Sequence, residues 1–147
     1  CTRDRLHMLV VEHCMPVGKV QLGLTTGARF PLAASASGRA FLWAQRAEQR
    51  RQLLEQIEND TAPGAFRKLA DVYDAFETLK EKGWCTVTAP VANQSASIAT
   101  SVAADVSYTL AAMAVGPKSN DTQLLEQIAP ELLIVAGRIT PAPHQDA

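Results

Sequence analysis

Ser35-Ala36-Ser37-Gly38 is the stretch of this 147-residue sequence best placed to do chemistry. A hydroxyl residue, then small residues, then Ala40-Phe41-Leu42-Trp43 reads as the start of a buried helix with Ser35 as its N-cap. Free N–H groups and the positive end of the helix make such a start an anion site. Small side chains let a ligand approach the backbone. A serine nucleophile would need a base and an orienting group. No Gly-x-Ser-x-Gly elbow surrounds Ser35 or Ser37, and histidine bases are on offer only near the first strand or in the tail, at His144. Binding is therefore expected here, not catalysis. His7 and His13 share strand parity, but six residues put them about 20 Å apart on a strand. Cys14 points to the opposite face from His13, so no shared metal is expected. Cys1, Cys14 and Cys85 form no CxxC pair, and reduced thiols are expected. No glycine-rich phosphate loop occurs, and no cofactor is implied. Arg46 to Arg51 (RAEQRR) alternates charge and amide on a helix and reads as a solvated face.

The elements that must position this helix start read as follows. Leu6–Val11 is a first strand and Lys19–Leu24, with its alternation, a second. A loop runs from Thr25 through Pro31. Helices follow at Ala36–Ala44, at about Ala47–Glu58 with Leu53, Leu54 and Ile57 inward, and at Phe66–Lys82. In this third helix Leu69, Val72, Tyr73, Phe76 and Leu79 form the stripe, Arg67 can pair with Asp71, and Gly83 is the C-cap. Three strands, Trp84–Thr88, Ser95–Ala103 and Val106–Val115, precede a last helix opened by a capping box at Asn120 and Gln123. That helix carries Leu124, Leu125, Ile128, Leu132, Leu133 and Val135, and Pro130 is expected to kink it. Two strands, three helices, three strands and a helix, with short turns between strands, make an α+β layered domain.

Size and charge agree. A chain of this length buries roughly 70% of its unfolded surface without needing disulfides or metals. The 14 basic and 15 acidic residues leave a net charge of −1, which argues against nucleic-acid binding by this segment alone. The longest small-apolar stretch, Ala96–Gly116, is broken by Asp105 and by hydroxyls, so no bilayer span is expected. No signal peptide is expected, and a cytoplasmic location is expected. The sequence opens at Cys1 without an initiator methionine and is expected to be cut from something longer.

Gly27-Ala28-Arg29-Phe30-Pro31-Leu32, followed in register by Ser35-Ala36-Ser37-Gly38-Arg39-Ala40, resembles the effector-binding domain of IclR-type bacterial transcription regulators. Leu79-Lys80-Glu81-Lys82-Gly83-Trp84, Ala111–Pro117 and Ile128-Ala129-Pro130-Glu131-Leu132 are similar to later family motifs, in the same order. The resemblance implies a GAF-like antiparallel sheet flanked by helices that binds a small metabolite, often a carboxylate. It implies an effector domain over 1–140, apparently lacking its first helix and strand, and a flexible tail over 141–147. The family's N-terminal winged helix-turn-helix, through which DNA would be bound, is absent from this sequence.

The resemblance also implies site residues. The ligand carboxylate would meet the helix start at Ser35, Ala36, Ser37 and Gly38, with backbone N–H groups of Ala36 and Ser37 foremost. Leu22 and Phe30 would be apolar walls, and Ser97 a polar group on the strand before the last hairpin. Cys85–Ala92 carries no carboxylate where the family has an acidic stretch, and Met113 and Val115 stand where some members have serines. The pocket is thus expected to favour a monocarboxylate with an apolar or aromatic body over a hydroxylated sugar acid. A homodimer or homotetramer is expected, since a missing first strand leaves a sheet edge open. The alternatives are a GAF-like binding or oligomerisation module with a degenerate pocket, and a hydrolase using Ser35 or Ser97.

Overall fold

A computed structural model of the chain describes residues 1–15, 25–63, 65, 68–88, 95–115 and 122–139. The anticipated strand at Lys19–Leu24, with Leu22, lies outside the described residues. So do Phe66, Arg67, Gly116-Pro117, Asn120 and the tail.

Three short strands come first: β1 (Thr2–Asp4), β2 (His7–Leu9) and β3 (Arg29–Pro31). They form an antiparallel sheet with Asp4 opposite His7 and Met8 opposite Phe30. Arg5 turns the β1–β2 hairpin in the left-handed conformation, φ 56°. β1 was not foreseen in the polar start, and β2 is shorter than the apolar run Leu6–Val11. Arg29–Pro31, read from sequence as loop, is a strand. Its neighbourhood is fixed by long-range bonds, Gly27 N–H to Val10 O at 2.8 Å and Val10 N–H to Ala28 O at 2.9 Å, which no local pattern announces. Pro31, lacking an N–H, ends it.

The second sheet is β4 (Cys85–Thr88), β5 (Ser95–Ser101) and β6 (Thr109–Val115), antiparallel in that order. Cys1 joins the two sheets by exchanging both backbone bonds with Thr109, each 2.9 Å. Thr2 bridges to Tyr108 beside it. Val106 and Ser107, expected in the last strand, instead form a turn before the bridged Tyr108. The Asp105 carboxylate accepts from Ser107 N–H at 2.9 Å, and Asp105 O accepts from Tyr108 N–H at 3.1 Å, so a side-chain acceptor outcompetes strand propensity.

Four helices complete the chain: α1 (Ala36–Ala44), α2 (Ala47–Glu58), α3 (Ala70–Lys82) and α4 (Thr122–Arg138). α1 and α4 take opposite faces of the second sheet. Cys85 and Ala99 join the core that holds Ala36, Ala40, Met8, Leu32 and Leu42. Trp84, Ala96 and Ile98 join the core of Leu125, Ala129 and Leu132. Fully buried Met8, Leu32, Leu42 and Ile98 each contribute about 2–3 kcal/mol of burial.

α3 ends at Gly83, φ 79°, whose N–H bonds Leu79 O at 2.9 Å, as its C-cap role required. Its inward residues are Val72, Ala75, Phe76 and Leu79. Tyr73, placed in the stripe by periodicity, is 52% exposed and meets Phe76 edge-on. Asp71 pairs with Lys68 at 3.1 Å. In α4, Leu125, Ala129, Leu132 and Ala136 face inward, whereas Leu133 and Val135 are exposed. Small alanines win because they let the helix lie close to the sheet. Pro130 sits inside α4, which continues to Arg138.

Thr109 is buried, and its Oγ1 has no hydrogen-bond partner among the described residues. Replacing such a hydroxyl by an isosteric methyl removes a desolvation cost. Thr109→Val is therefore expected to raise the urea-unfolding free energy by about 1 kcal/mol, and a loss of stability would show that the hydroxyl is satisfied.

Candidate functional site

The start of α1 is built from the residues before it. Ser35 is extended (φ −115°, ψ 148°), and its Oγ accepts from Gly38 N–H at 3.0 Å. Arg39 N–H bonds Ser35 O at 3.0 Å. The two remaining first-turn N–H groups, on Ala36 and Ser37, have no acceptor among the described residues, as the geometry of a helix end dictates. Gly38 allows this arrangement: a Cβ there would collide with Leu32 O and Leu32 Cα. The preceding turn is then braced from inside, because the buried Arg39 donates from Nε to Ala33 O at 2.9 Å. Burial pushes the Arg39 guanidinium below its usual range, opposed by the charges of Cys85, Asp71 and Asp74. Its Nη2 lies 3.9 Å from Asp71.

Beneath the first turn, Cys85 Sγ contacts Ala36 O at 3.5 Å. Burial pushes this thiol up to about 12, with Arg39 opposing. Directly opposed strand residues share a face. Cys85, Ala99 and Ala111 make one row, and Val87, Ser97 and Met113 make the next on the same face. α1 covers Cys85 and Ala99; in the next row Val87 packs against that core, while Ser97 is half-buried and Met113 is 39% exposed. Ser97 Oγ reaches only Val87 O, at 3.5 Å.

The structure thus brings Ala36, Ser37 and Gly38 to one face of the sheet with Ser97 and Met113. Val115 shares their face by strand parity, and its side chain lies outside what is described. Phe30 stands on the first sheet opposite Met8, whose side chain is in the α1 core. Ser37 is buried, with Oγ 3.9 Å from Cys1 Sγ. Arg39 as a brace and Cys85 as the floor carry no local sequence signal. Arg39 lies within the quoted motif, but its role depends on burial against Leu32–Ala34.

Two cavities lie elsewhere. One of about 80 Å³ sits between Leu6, Pro31 and Ile57. A groove of about 430 Å³ lies between α2 and α3. Neither touches the first turn of α1, Ser97 or Met113, so cavity size does not mark the chemistry. The candidate rests instead on the burial and hydrogen-bond pattern at the start of α1.

Other chemistry finds little support in the geometry. Ser35 Oγ is engaged as a cap, and neither Ser35 nor Ser97 has a histidine or carboxylate partner among the described residues. His13 is not in a strand, and its Nδ1 lies 3.4 Å from Thr26 Oγ1. Among the described residues no three His, Cys, Asp or Glu side chains gather to hold a metal. No helix there is long and apolar enough to cross a membrane.

Residues 1–134 match the family described as bacterial transcriptional regulator IclR C-terminal. No curated protein sequence matches the chain. The fold is similar to an IclR family transcriptional regulator from Brucella abortus (TM-score 0.73, 24% identity, over 91% of this chain and 51% of that one). It is also similar to the PobR inducer-binding domain from Acinetobacter, a double mutant in complex with 3-hydroxybenzoic acid (TM-score 0.68, 17% identity, 92% and 82%). A third likeness is an IclR homolog from Microbacterium hydrocarbonoxydans complexed with 4-hydroxybenzoate (TM-score 0.66, 18% identity, 92% and 56%). The chain spans about half the length of several regulators it resembles. These likenesses agree with a GAF-like α+β fold.

Two measurements check the site's construction. Gly38→Ala is expected to cost about 1–3 kcal/mol or more, since backbone must shift, and an unchanged urea midpoint would contradict the close approach. Cys85 supplies a pH test. Unfolded, its thiol ionises near 9.0; folded, it keeps its proton to about 12. Its contribution to stability is full below pH 9 and is lost as pH rises from 9 to 12, at about 1.4 kcal/mol per unit. Cys85→Ala should flatten that fall, measured by urea unfolding between pH 8 and 10.5.

Proposed function

The chain belongs to the IclR C-terminal domain family of bacterial transcriptional regulators, and on that premise we propose that it senses a monocarboxylate with an apolar or aromatic body. The observation that carries this reading is the pair of first-turn amides on Ala36 and Ser37 without an acceptor among the described residues, on the sheet face that also carries Ser97 and Met113. A carboxylate accepts from such amides in charge-assisted bonds. Ser97 would contribute a hydroxyl, and Met113, Phe30, Val115 and Leu22 apolar walls. The hydroxybenzoates bound by the Acinetobacter and Microbacterium proteins support an aromatic acid.

In this reading the ligand is bound and not turned over. It shifts the population of conformers because it binds one better than the other. DNA would be contacted by a winged helix-turn-helix outside this sequence, in a cytoplasmic homodimer or homotetramer whose geometry the ligand biases.

Calorimetry and thermal shift with a panel of aromatic, aliphatic and polyhydroxy acids test the reading. Aromatic monocarboxylates are expected to bind and, at 100 times their Kd, to add about 2.7 kcal/mol of stability. Stabilisation by polyhydroxy acids alone, or by divalent cations alone, would contradict it. Ala36→Pro isolates the anchor. Proline is tolerated at the first helical position, and the extended Ser35 already suits a following proline. The substitution deletes one N–H at a buried position, so circular dichroism first checks that the helix is kept, and affinity should then fall about 10- to 150-fold, the worth of a hydrogen bond to a charged group.

A further inference from the structure

In the groove between α2 and α3, Arg50 makes no ion pair among the described residues. Arg50 lies with its guanidinium 4.9 Å from the centre of the Trp43 ring and 5.5 Å from that of Phe76. Its Nη2 donates to Gln45 O at 3.1 Å, which fixes the plane of the group at the α1–α2 corner. Its Nε is buried without an acceptor. Among the described residues no carboxylate comes within ion-pair distance of it. The neighbouring Arg51 shows the contrast, holding Glu48 at 2.8 Å and Glu55 at 2.6 Å. A guanidinium stays charged at any ordinary pH, and aromatic faces attract it without neutralising it.

The space beside it is suited to a small molecule. The groove holds about 430 Å³, within the range of ligand sites. Leu54 and Leu69 line it, and the half-exposed Tyr73 ring forms a wall. Arg51, Glu55 and Glu58 also line the groove; Arg51 holds Glu55 at 2.6 Å, and Glu58 lies eight residues along α2 from Arg50. A second negative charge on a ligand would therefore meet repulsion, while a single carboxylate at Arg50 would not.

We propose that this groove is a second binding site, separate from the start of α1, for a monocarboxylate on an apolar or aromatic body, with Arg50 taking the carboxylate and Tyr73 the ring. Such a site gives the domain two places for organic acids, one on the sheet face and one on the helical layer.

Titration of the whole chain with benzoate, followed by nitrogen–proton NMR, tests it. The Trp43 indole N–H and the Arg50 Nε–H are the reporters. Both should shift saturably with benzoate. Benzamide, the uncharged analogue, should bind about 10-fold or more weakly. Arg50→Met, which keeps an apolar stem over Trp43, should lose the response. Tyr73→Ala removes only a half-exposed wall, and should weaken binding even if Arg50→Met does not fold. Shifts confined to the amides of Ala36 and Ser37 would overturn the proposal while leaving the α1 site intact. Equal binding of benzamide, no saturable shift at Trp43, or indifference to Tyr73→Ala would also overturn it.

Discussion

The closeness of the chain before α1 to the helix itself is the constraint on which the candidate site depends. Leu32 O occupies the space where any residue but glycine at position 38 would put its Cβ. Because that contact is backbone against backbone, no side-chain rotation relieves it. Ser35 is thereby delivered in an extended conformation with Oγ on Gly38 N–H. Arg39 is turned inward to Ala33 O, and Cys85 fills the space below Ala36. The two amides left over are held by a packed neighbourhood, so a ligand meeting them spends little on ordering them.

The two faces of the second sheet divide the labour. α4 covers one face with Leu125, Ala129 and Leu132 against Ala96 and Ile98. α1 covers part of the other and stops short of Ser97 and Met113. A sheet packed on both sides is rigid. Ser97 and Met113 stand on the sheet face that α1 packs against, and in the proposed reading they would flank the ligand.

Much of this was legible in the residues. The four helices, the Ser35 cap, the Gly83 stop and the parity of β6 follow from periodicity, capping chemistry and strand alternation. Three-residue strands were not legible, because Arg29–Pro31 is too short to show alternation and is specified by partners in β2. Val106 and Ser107 misled because a β-branched residue favours strands, while the Asp105 carboxylate makes the turn. Tyr73, Leu133 and Val135 sit at the margins of helical stripes, where packing distance, not period, decides what is buried. Arg39, Cys85 and Thr109 gain their roles only from residues distant in sequence or from burial.

The measurement that bears most directly on the account is a crystal structure of the chain with 4-hydroxybenzoate. The account predicts carboxylate oxygens about 2.7–2.9 Å from the amide nitrogens of Ala36 and Ser37, with the ring over the Ser97–Met113 row. A carboxylate seated elsewhere, with those two amides still without a ligand at saturating acid, would contradict it.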